Sequence, residues 1–147
     1  MDSSDLVRRY VDAMAANDFD ALAKLRHPDW HEDWPQSGER VPNHEAYRRI
    51  HENFPGGLPQ IEVQEVAGAE DRWVVTPGMT VQRIAGTGDV WFIEGINQYA
   101  GGQRYHFVLH LRLRDGRVWR VTSYFAEPFP VPAWRAELTV PIEPEGA

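Results

Sequence analysis

His106-Phe107-Val108-Leu109-His110-Leu111-Arg112-Leu113-Arg114-Asp115-Gly116-Arg117-Val118-Trp119-Arg120-Val121-Thr122-Ser123-Tyr124-Phe125 is the stretch that decides the fold. Apolar and polar residues alternate on both sides of Asp115-Gly116, the pattern of two half-buried strands. An Asp-Gly pair between such runs predicts a two-residue type I′ turn, whose central positions both need positive φ. The strands are therefore antiparallel and the turn sets their register. Placing Arg114 opposite Arg117 brings His110 opposite Val121, Val108 opposite Ser123 and His106 opposite Phe125. The same rule at Gly101-Gly102 puts Asn97 opposite His106 and Ile93 opposite His110.

Upstream, from Leu58 onward, β-prone runs are separated by turn signals at Gly68 to Asp71, Pro77-Gly78 and Gly86-Thr87-Gly88. The first part of the chain has a helical period instead. Leu6, Val7, Tyr10, Val11 and Met14 share one face of a helix over residues 4 to 16. Asp18 caps a short second helix carrying Phe19, Leu22 and Leu25, which His27-Pro28 stops. Asn43 caps a third with Tyr47, Ile50 and Phe54, ended by Pro55-Gly56-Gly57. Between them, Asp29 to Pro42 follows neither period and reads as an ordered loop. Three helices followed by a meander predict an α+β fold. The expected single domain has a helical part over 1–57, a single antiparallel sheet over 58–127 and a Pro-rich strap over 128–147, lying across a rim or a partner subunit.

The predicted register sorts the last three strands into two faces. Phe92, Ile96, Phe107, Leu109, Leu111, Leu113 and Val118, with Glu94, Thr122 and Tyr124, make a packing surface. Trp91, Ile93, Asn97, His106, Val108, His110, Trp119, Val121, Ser123 and Phe125 make the other, where isolated polar groups sit among apolar ones. Such a wall reads first as a ligand pocket, the alternatives being a subunit interface or polar groups satisfied by one another or by water.

Composition narrows the function. The 147 residues contain no cysteine, so a thiol nucleophile, a disulfide framework and a Cys-ligated zinc are excluded. The acidic start Met1-Asp2-Ser3-Ser4-Asp5 is unlike a signal peptide, and no run of ~20 apolar residues spans a membrane. Cytoplasm is the default location, and no membrane partner is expected. A net charge of −7 without a basic stripe opposes nucleic-acid binding. Strands apolar on both faces predict a homodimer, because three helices cannot cover both.

Several pieces in order carry a family resemblance: the first helical stripe, Asp18-Phe19-Asp20-Ala21-Leu22 before His27-Pro28-Asp29, Trp34-Pro35-Gln36-Ser37-Gly38-Glu39, and Arg112-Leu113-Arg114-Asp115-Gly116-Arg117-Val118 leading to Tyr124-Phe125. The chain resembles the nuclear-transport-factor-2-like superfamily, in particular its SnoaL-like polyketide cyclase branch. The resemblance implies a cone-shaped, cystatin-like α+β barrel, often dimeric. Isomerases, cyclases, dehydratases, epoxide hydrolases and noncatalytic binders share this fold, so it does not fix function. Relatives of the limonene-epoxide-hydrolase kind carry an acid where this chain has Ser123, and an Arg-x-Asp pair where it has Gly95 and Asn97. Their water-activating site is absent, since a serine hydroxyl is no general base near neutral pH.

Acid–base work falls to histidine, whose unperturbed pKa lies nearest neutrality. His106 and His110 alternate on the predicted pocket face, while His27 and His31 flank the loop at the cone's mouth. That loop supplies Asp33, aligned with a polar pocket residue of the epoxide-hydrolase relatives. Histidines with an aspartate also resemble the scytalone-dehydratase-like members. The expected catalytic pair is His110, oriented by Asp33. His106, Asn97 and Ser123 would hold a substrate oxygen, and His31, Trp30, Trp34, Trp91 and Trp119 would contact a flat ligand. No metal is expected: His-Glu-x-x-His is missing, and His106 and His110 lie roughly 13 Å apart along a strand. No cofactor is implied. The expected function is a cofactor-free lyase, isomerase or cyclase on a small hydrophobic oxygenated metabolite, against the alternative of a noncatalytic binding or scaffold protein.

Overall fold

The structure, a computed structural model, describes residues 1–55, 57–58, 61–65, 74–77 and 79–142, with the backbone alone at 61–65, 74–77, 79–83 and 85. Helix α1 spans Ser3–Ala15, with the Asp2 carboxylate accepting from the Asp5 amide; α2 spans Phe19–Leu25, capped likewise by Asp18; α3 spans His44–Glu52, capped by Asn43. Each cap satisfies a backbone N–H that has no partner inside its helix. Leu6, Val7, Tyr10 and Val11 form the buried stripe of α1. None of the described helices is long and apolar enough to cross a membrane.

Strand β1 covers Arg26–Trp34 and β2 covers Glu39–Val41, where the sequence reads as a loop. The reason lies in what β1 buries. Its fully covered positions are Arg26, Trp30 and Glu32, two of them ionisable and unevenly spaced, so no hydrophobic period of two marks the strand. Strands β3 (Ile61–Glu65) and β4 (Val74–Pro77) form a separate antiparallel pair. Strands β5 (Met79–Thr87), β6 (Val90–Gln98), β7 (Arg104–Arg114) and β8 (Arg117–Ala126) complete a six-stranded sheet in the order β2-β1-β8-β7-β6-β5. The α+β class stands. The sheet is mixed, however, because β1 lies parallel to β8, and it draws two strands from the part expected to be helical. The turn signal at Gly68 to Asp71 and Gly78 lie outside the described residues, as do residues 143–147. The remaining tail runs through a short 3₁₀ helix, Ala133–Leu138, whose Trp134 and Leu138 side chains are exposed.

Register is where the expectation fails. Asp115 and Gly116 do both have positive φ, at 52° and 71°, and Arg114 does face Arg117. Two pairs later the ladder slips: Leu113 faces Val118 but Arg112 faces Arg120, leaving Trp119 as the extra residue of a β-bulge. Beyond it, Leu111 faces Val121, Leu109 faces Ser123 and Phe107 faces Phe125. At the other end of β7 the connection holds five residues, Tyr99 to Gln103, closed by Tyr99 N–H to the Gln103 carbonyl, in place of a two-residue turn. An odd loop shifts the pairing by one, so Asn97 faces Tyr105 and Ile93 faces Leu109. Both errors turn β7 over relative to its neighbours. The concave face therefore carries Trp91, Ile93 and Asn97, then Phe107, Leu109 and Leu111, then Val121, Ser123 and Phe125. His106, Val108 and His110 point to the convex side with Phe92, Thr122 and Tyr124.

The helices are pinned to the concave face through one cation. The Arg26 side chain is buried, its guanidinium carbon 3.8 Å from the Trp30 ring centroid and 3.9 Å from that of Tyr47. Its Nε and Nη2 donate to the Tyr10 hydroxyl at 3.1 and 2.9 Å, and Nη1 donates to His44 Nδ1 at 2.8 Å. Strand β1, helix α1 and helix α3 thus meet on one planar charge that aromatic faces and neutral acceptors stabilise. Replacing Arg26 by Met is expected to lower unfolding free energy by about 3 kcal/mol or more, the range of a broken buried network. Urea denaturation of the two proteins checks this, and a loss under about 1 kcal/mol would show that the cage is dispensable.

Candidate active site

A cavity of about 450 Å³ opens between the helices and the concave face. Met14 of α1 and Tyr47, Ile50, His51 and Phe54 of α3 and its end line the helical side. Asn97, Tyr99, Tyr105, Phe107, Leu109 and Phe125 line the sheet side, and Glu32, Trp34, Gln36 and Ser37 come from β1 and the turn after it. The lining is mainly apolar and aromatic with a few polar groups, the ordinary make-up of a small-molecule site.

Glu32 is the one carboxyl group among these, and it is 6% exposed. It reaches the cavity because β1 alternates Trp30, Glu32 and Trp34 toward the same side. Trp34 Nε1 donates to Glu32 Oε2 at 2.6 Å. Burial raises the Glu32 pKa above its ordinary 4.5; the Trp34 hydrogen bond, the charge of Arg26 and the nearby Ser123 hydroxyl oppose the rise without cancelling it. Ser123 Oγ is buried and forms no direct hydrogen bond, so it stands by the carboxyl without being spent on another group.

On the opposite side, His51 Nδ1 lies 2.8 Å from the Tyr47 carbonyl, which accepts only, so Nδ1 carries the proton and Nε2 is the free acceptor of a neutral ring. Burial lowers the His51 pKa, with the Tyr47 carbonyl acting against and the Arg26 charge acting with it. The Asn97 side-chain oxygen is buried without a hydrogen-bond partner, 9% of the residue being exposed. Tyr99 stacks on Phe54 at 4.5 Å between ring centroids, and burial raises its pKa, so its hydroxyl remains a donor at neutral pH. One side of the cavity holds a perturbed acid; the other holds neutral hydrogen-bonding groups. Among the described residues no three His, Asp or Glu side chains gather where one metal ion would reach them all.

The family model of the SnoaL-like domain matches residues 7–121 of this architecture. The chain belongs to the SnoaL-like branch of the NTF2-like superfamily. No curated protein matches the SnoaL-like chain in sequence. Among solved structures it is similar to an NTF2-like protein of unknown function from Burkholderia xenovorans, 29% identical over 95% of this chain and 94% of that one, with a TM-score of 0.72. A putative ketosteroid isomerase from Kribbella flavida is 24% identical over 95% and 89%, TM-score 0.71. An LEH-like epoxide hydrolase from M. tuberculosis is 19% identical over 82% and 80%, TM-score 0.53. The latter two likenesses show the shared fold.

Of the residues singled out from the sequence, the SnoaL-like cavity takes in Asn97 and Trp34, with Ser123 buried beside Glu32. His110, Asp33 and His31 do come together, but in a polar cleft on the convex side, where Asp33 is held by Arg40 rather than by His110. His106 also faces that side. Trp30 is covered by the Arg26 cage, Trp91 donates to the Gly88 carbonyl within the core, and Trp119 lies at the bulge between Arg114 and Arg120. Glu32, His51 and the tyrosines were not singled out. The legible signal was Trp30-x-Glu32-x-Trp34, a carboxyl alternating with two large aromatic residues.

The raised Glu32 pKa has a consequence for stability. A folded-state pKa above the unfolded value means that the native protein keeps a proton the unfolded chain has released. The Glu32 contribution to stability is therefore greatest below about pH 4.5 and falls as pH rises through the folded-state value. Glu32→Gln removes that loss and keeps an acceptor for Trp34 Nε1. The stability of the variant minus that of the wild type is expected to grow from pH 4 upward to a plateau. The lowered pKa values of His31, His44, His51 and His110, each set first by burial, withdraw stability as pH falls below about 6.5 in both proteins and cancel in the difference. Thermal unfolding from pH 4 to 8 measures it, and a flat difference would mean that Glu32 titrates normally.

Proposed function

We propose that the SnoaL-like chain is a cofactor-free acid–base enzyme that moves a proton at carbon next to a carbonyl group in a small hydrophobic metabolite, with Glu32 as the proton carrier. The observation that carries this is a carboxyl group, buried in an otherwise apolar cavity, whose pKa is raised toward the working range of a general base. In the proposed reaction Trp34 holds Oε2, and Oε1 takes the proton from the substrate carbon. Charge then develops on the carbonyl oxygen. The Tyr99 or Tyr105 hydroxyl or the Asn97 amide, across the cavity, donates to it among mainly apolar and aromatic neighbours. Returning the proton to a different carbon gives an isomerase; giving it to a β-hydroxyl, which leaves as water while a double bond forms, gives a lyase; attack by the carbanion on a second carbonyl, whose oxygen then takes the proton, gives a cyclase. The first is the simplest for one carboxyl, because a single group both takes and returns the proton.

Incubating the protein with a panel of cyclic and polycyclic ketones in D₂O, with NMR detection of α-deuterium uptake, tests proton abstraction without knowledge of the product. Enzyme-dependent exchange is expected, and Glu32→Gln should cut it by about 10² to 10⁴ while His110→Gln leaves it unchanged. Saturable quenching of Trp34 fluorescence by such ketones without any exchange would favour the second reading, a binding protein with no chemistry. The presence of one carboxyl rather than a carboxyl pair among the described lining residues supports that alternative.

A homodimer is part of the same proposal. Phe129, Trp134 and Leu138 are 73%, 77% and 81% exposed, apolar area that a second copy would cover. Sedimentation is expected to give twice the chain mass at micromolar concentration, and a monomer would discard this part.

A further inference from the structure

We propose that the convex side of the sheet carries a second ligand site, for a phosphate group, built by Arg112, Arg120, His110, His31 and Thr122. These side chains come from three adjacent strands, β7, β8 and β1, and line a cleft of about 240 Å³ on the side of the sheet away from the Glu32 cavity. Arg112 and Arg120 are direct cross-strand partners, a like-charge pairing that costs stability in a sheet. No carboxylate among the described residues pairs with either. The cleft's own carboxylate, Asp33, is engaged by Arg40 at 2.6 and 3.1 Å. On a chain of net charge −7, two guanidinium groups without a carboxylate ion pair among the described residues have thus been placed side by side.

The neighbours prepare them for an anion. The Arg120 guanidinium lies 3.9 Å over the Trp119 ring, so the bulge that sets the register also gives this arginine a flat shelf. His110 is the direct partner of Thr122, and its Nε2 is buried without a hydrogen bond. Two guanidinium forks, an imidazole and a hydroxyl offer donors in several directions, which suits the tetrahedral oxygens of phosphate better than a planar carboxylate. Extended nucleic acid is disfavoured by the net charge, so the group is free phosphate or the phosphate of a small ester.

The histidines would respond. Burial and then Arg112 lower the His110 pKa; for His31 burial, Arg40 and Arg120 lower it against Asp33. An anion in the cleft offsets the arginines and favours protonation of both rings. Binding should therefore tighten as pH falls from 8 to 6, best read with sulfate, whose charge is constant over that range.

Titrating inorganic phosphate into the whole protein at pH 7 and constant ionic strength, with NMR of the His and Arg side chains, tests the site. Saturable shifts confined to His110, His31, Arg112 and Arg120 are expected. Arg112→Gln and Arg120→Gln should each weaken binding tenfold or more with the melting temperature retained, and Glu32→Gln should bind as the wild type does. Tighter binding of phenyl phosphate would assign the site to an ester, and equal binding to the free anion. Non-saturable shifts, equal shifts with acetate, or full affinity in both arginine variants would overturn the proposal.

Discussion

A single buried cation holds this architecture together. Arg26 is the first residue of β1, and without it the chain would have no reason to bring the polar ends of Tyr10 and His44 to the same point. Removing a charge from water is expensive unless its hydrogen bonds are replaced, and here a tyrosine hydroxyl, an imidazole nitrogen and two aromatic faces replace them. Because those groups sit on α1, β1 and α3, satisfying the cation fixes the angle at which the helices lie over the sheet. That angle in turn fixes the space left between α3 and the concave face. The cavity is thus a consequence of where the guanidinium must be solvated, not of missing side chains.

The same cation acts on the chemistry. Glu32 lies six residues further along β1, and the Arg26 charge favours its ionised form while burial opposes it. An acid left alone in such a cavity would hold its proton too firmly to serve as a base; one paired directly with arginine would lose basicity altogether. No direct ion pair joins the two, and the Trp34 N–H supplies a neutral hydrogen bond instead. These opposing influences leave the carboxyl above its ordinary pKa but below where burial alone would put it. They also leave the native state with a stability deficit at the carboxyl group on which the proposed chemistry rests, a pattern common where function and stability trade against each other.

The sequence makes the helices, the strand-rich second half and the Asp115-Gly116 turn legible, because each depends on local pattern: stripes of Leu and Val, Asp18 and Asn43 as caps, positive φ at Asp and Gly. It also carries the family through the order of weak pieces. Strand β1 was hidden because Arg26 and Glu32 fill buried positions that a hydrophobic period leaves to apolar residues. The face of His106 and His110 was hidden for a different reason. Register depends on counting, and one bulged residue at Trp119 together with one odd loop at 99–103 reverses every side chain between them. Burial repeats the lesson residue by residue: Leu109 and Leu111 are fully covered where Val108 stands 39% exposed.

That reversal explains why the sheet divides its chemistry as it does. With β7 turned over, its leucines and Phe107 back the cavity, and the concave face stays apolar enough to perturb Glu32. The histidines and Arg112 of the same strand are displaced outward, next to Arg120 and His31. A register without the bulge would have put His106 and His110 into the cavity, where two more titratable groups would raise the local dielectric and compete for the proton on Glu32. It would also have turned Phe107, Leu109 and Leu111 outward, exposing three large apolar side chains of a central strand at a cost of about 1.5 to 3 kcal/mol each. Packing therefore selects the bulged register over the unbulged one, and with it the separation of Glu32 on the concave side from His110, Arg112 and Arg120 on the convex side.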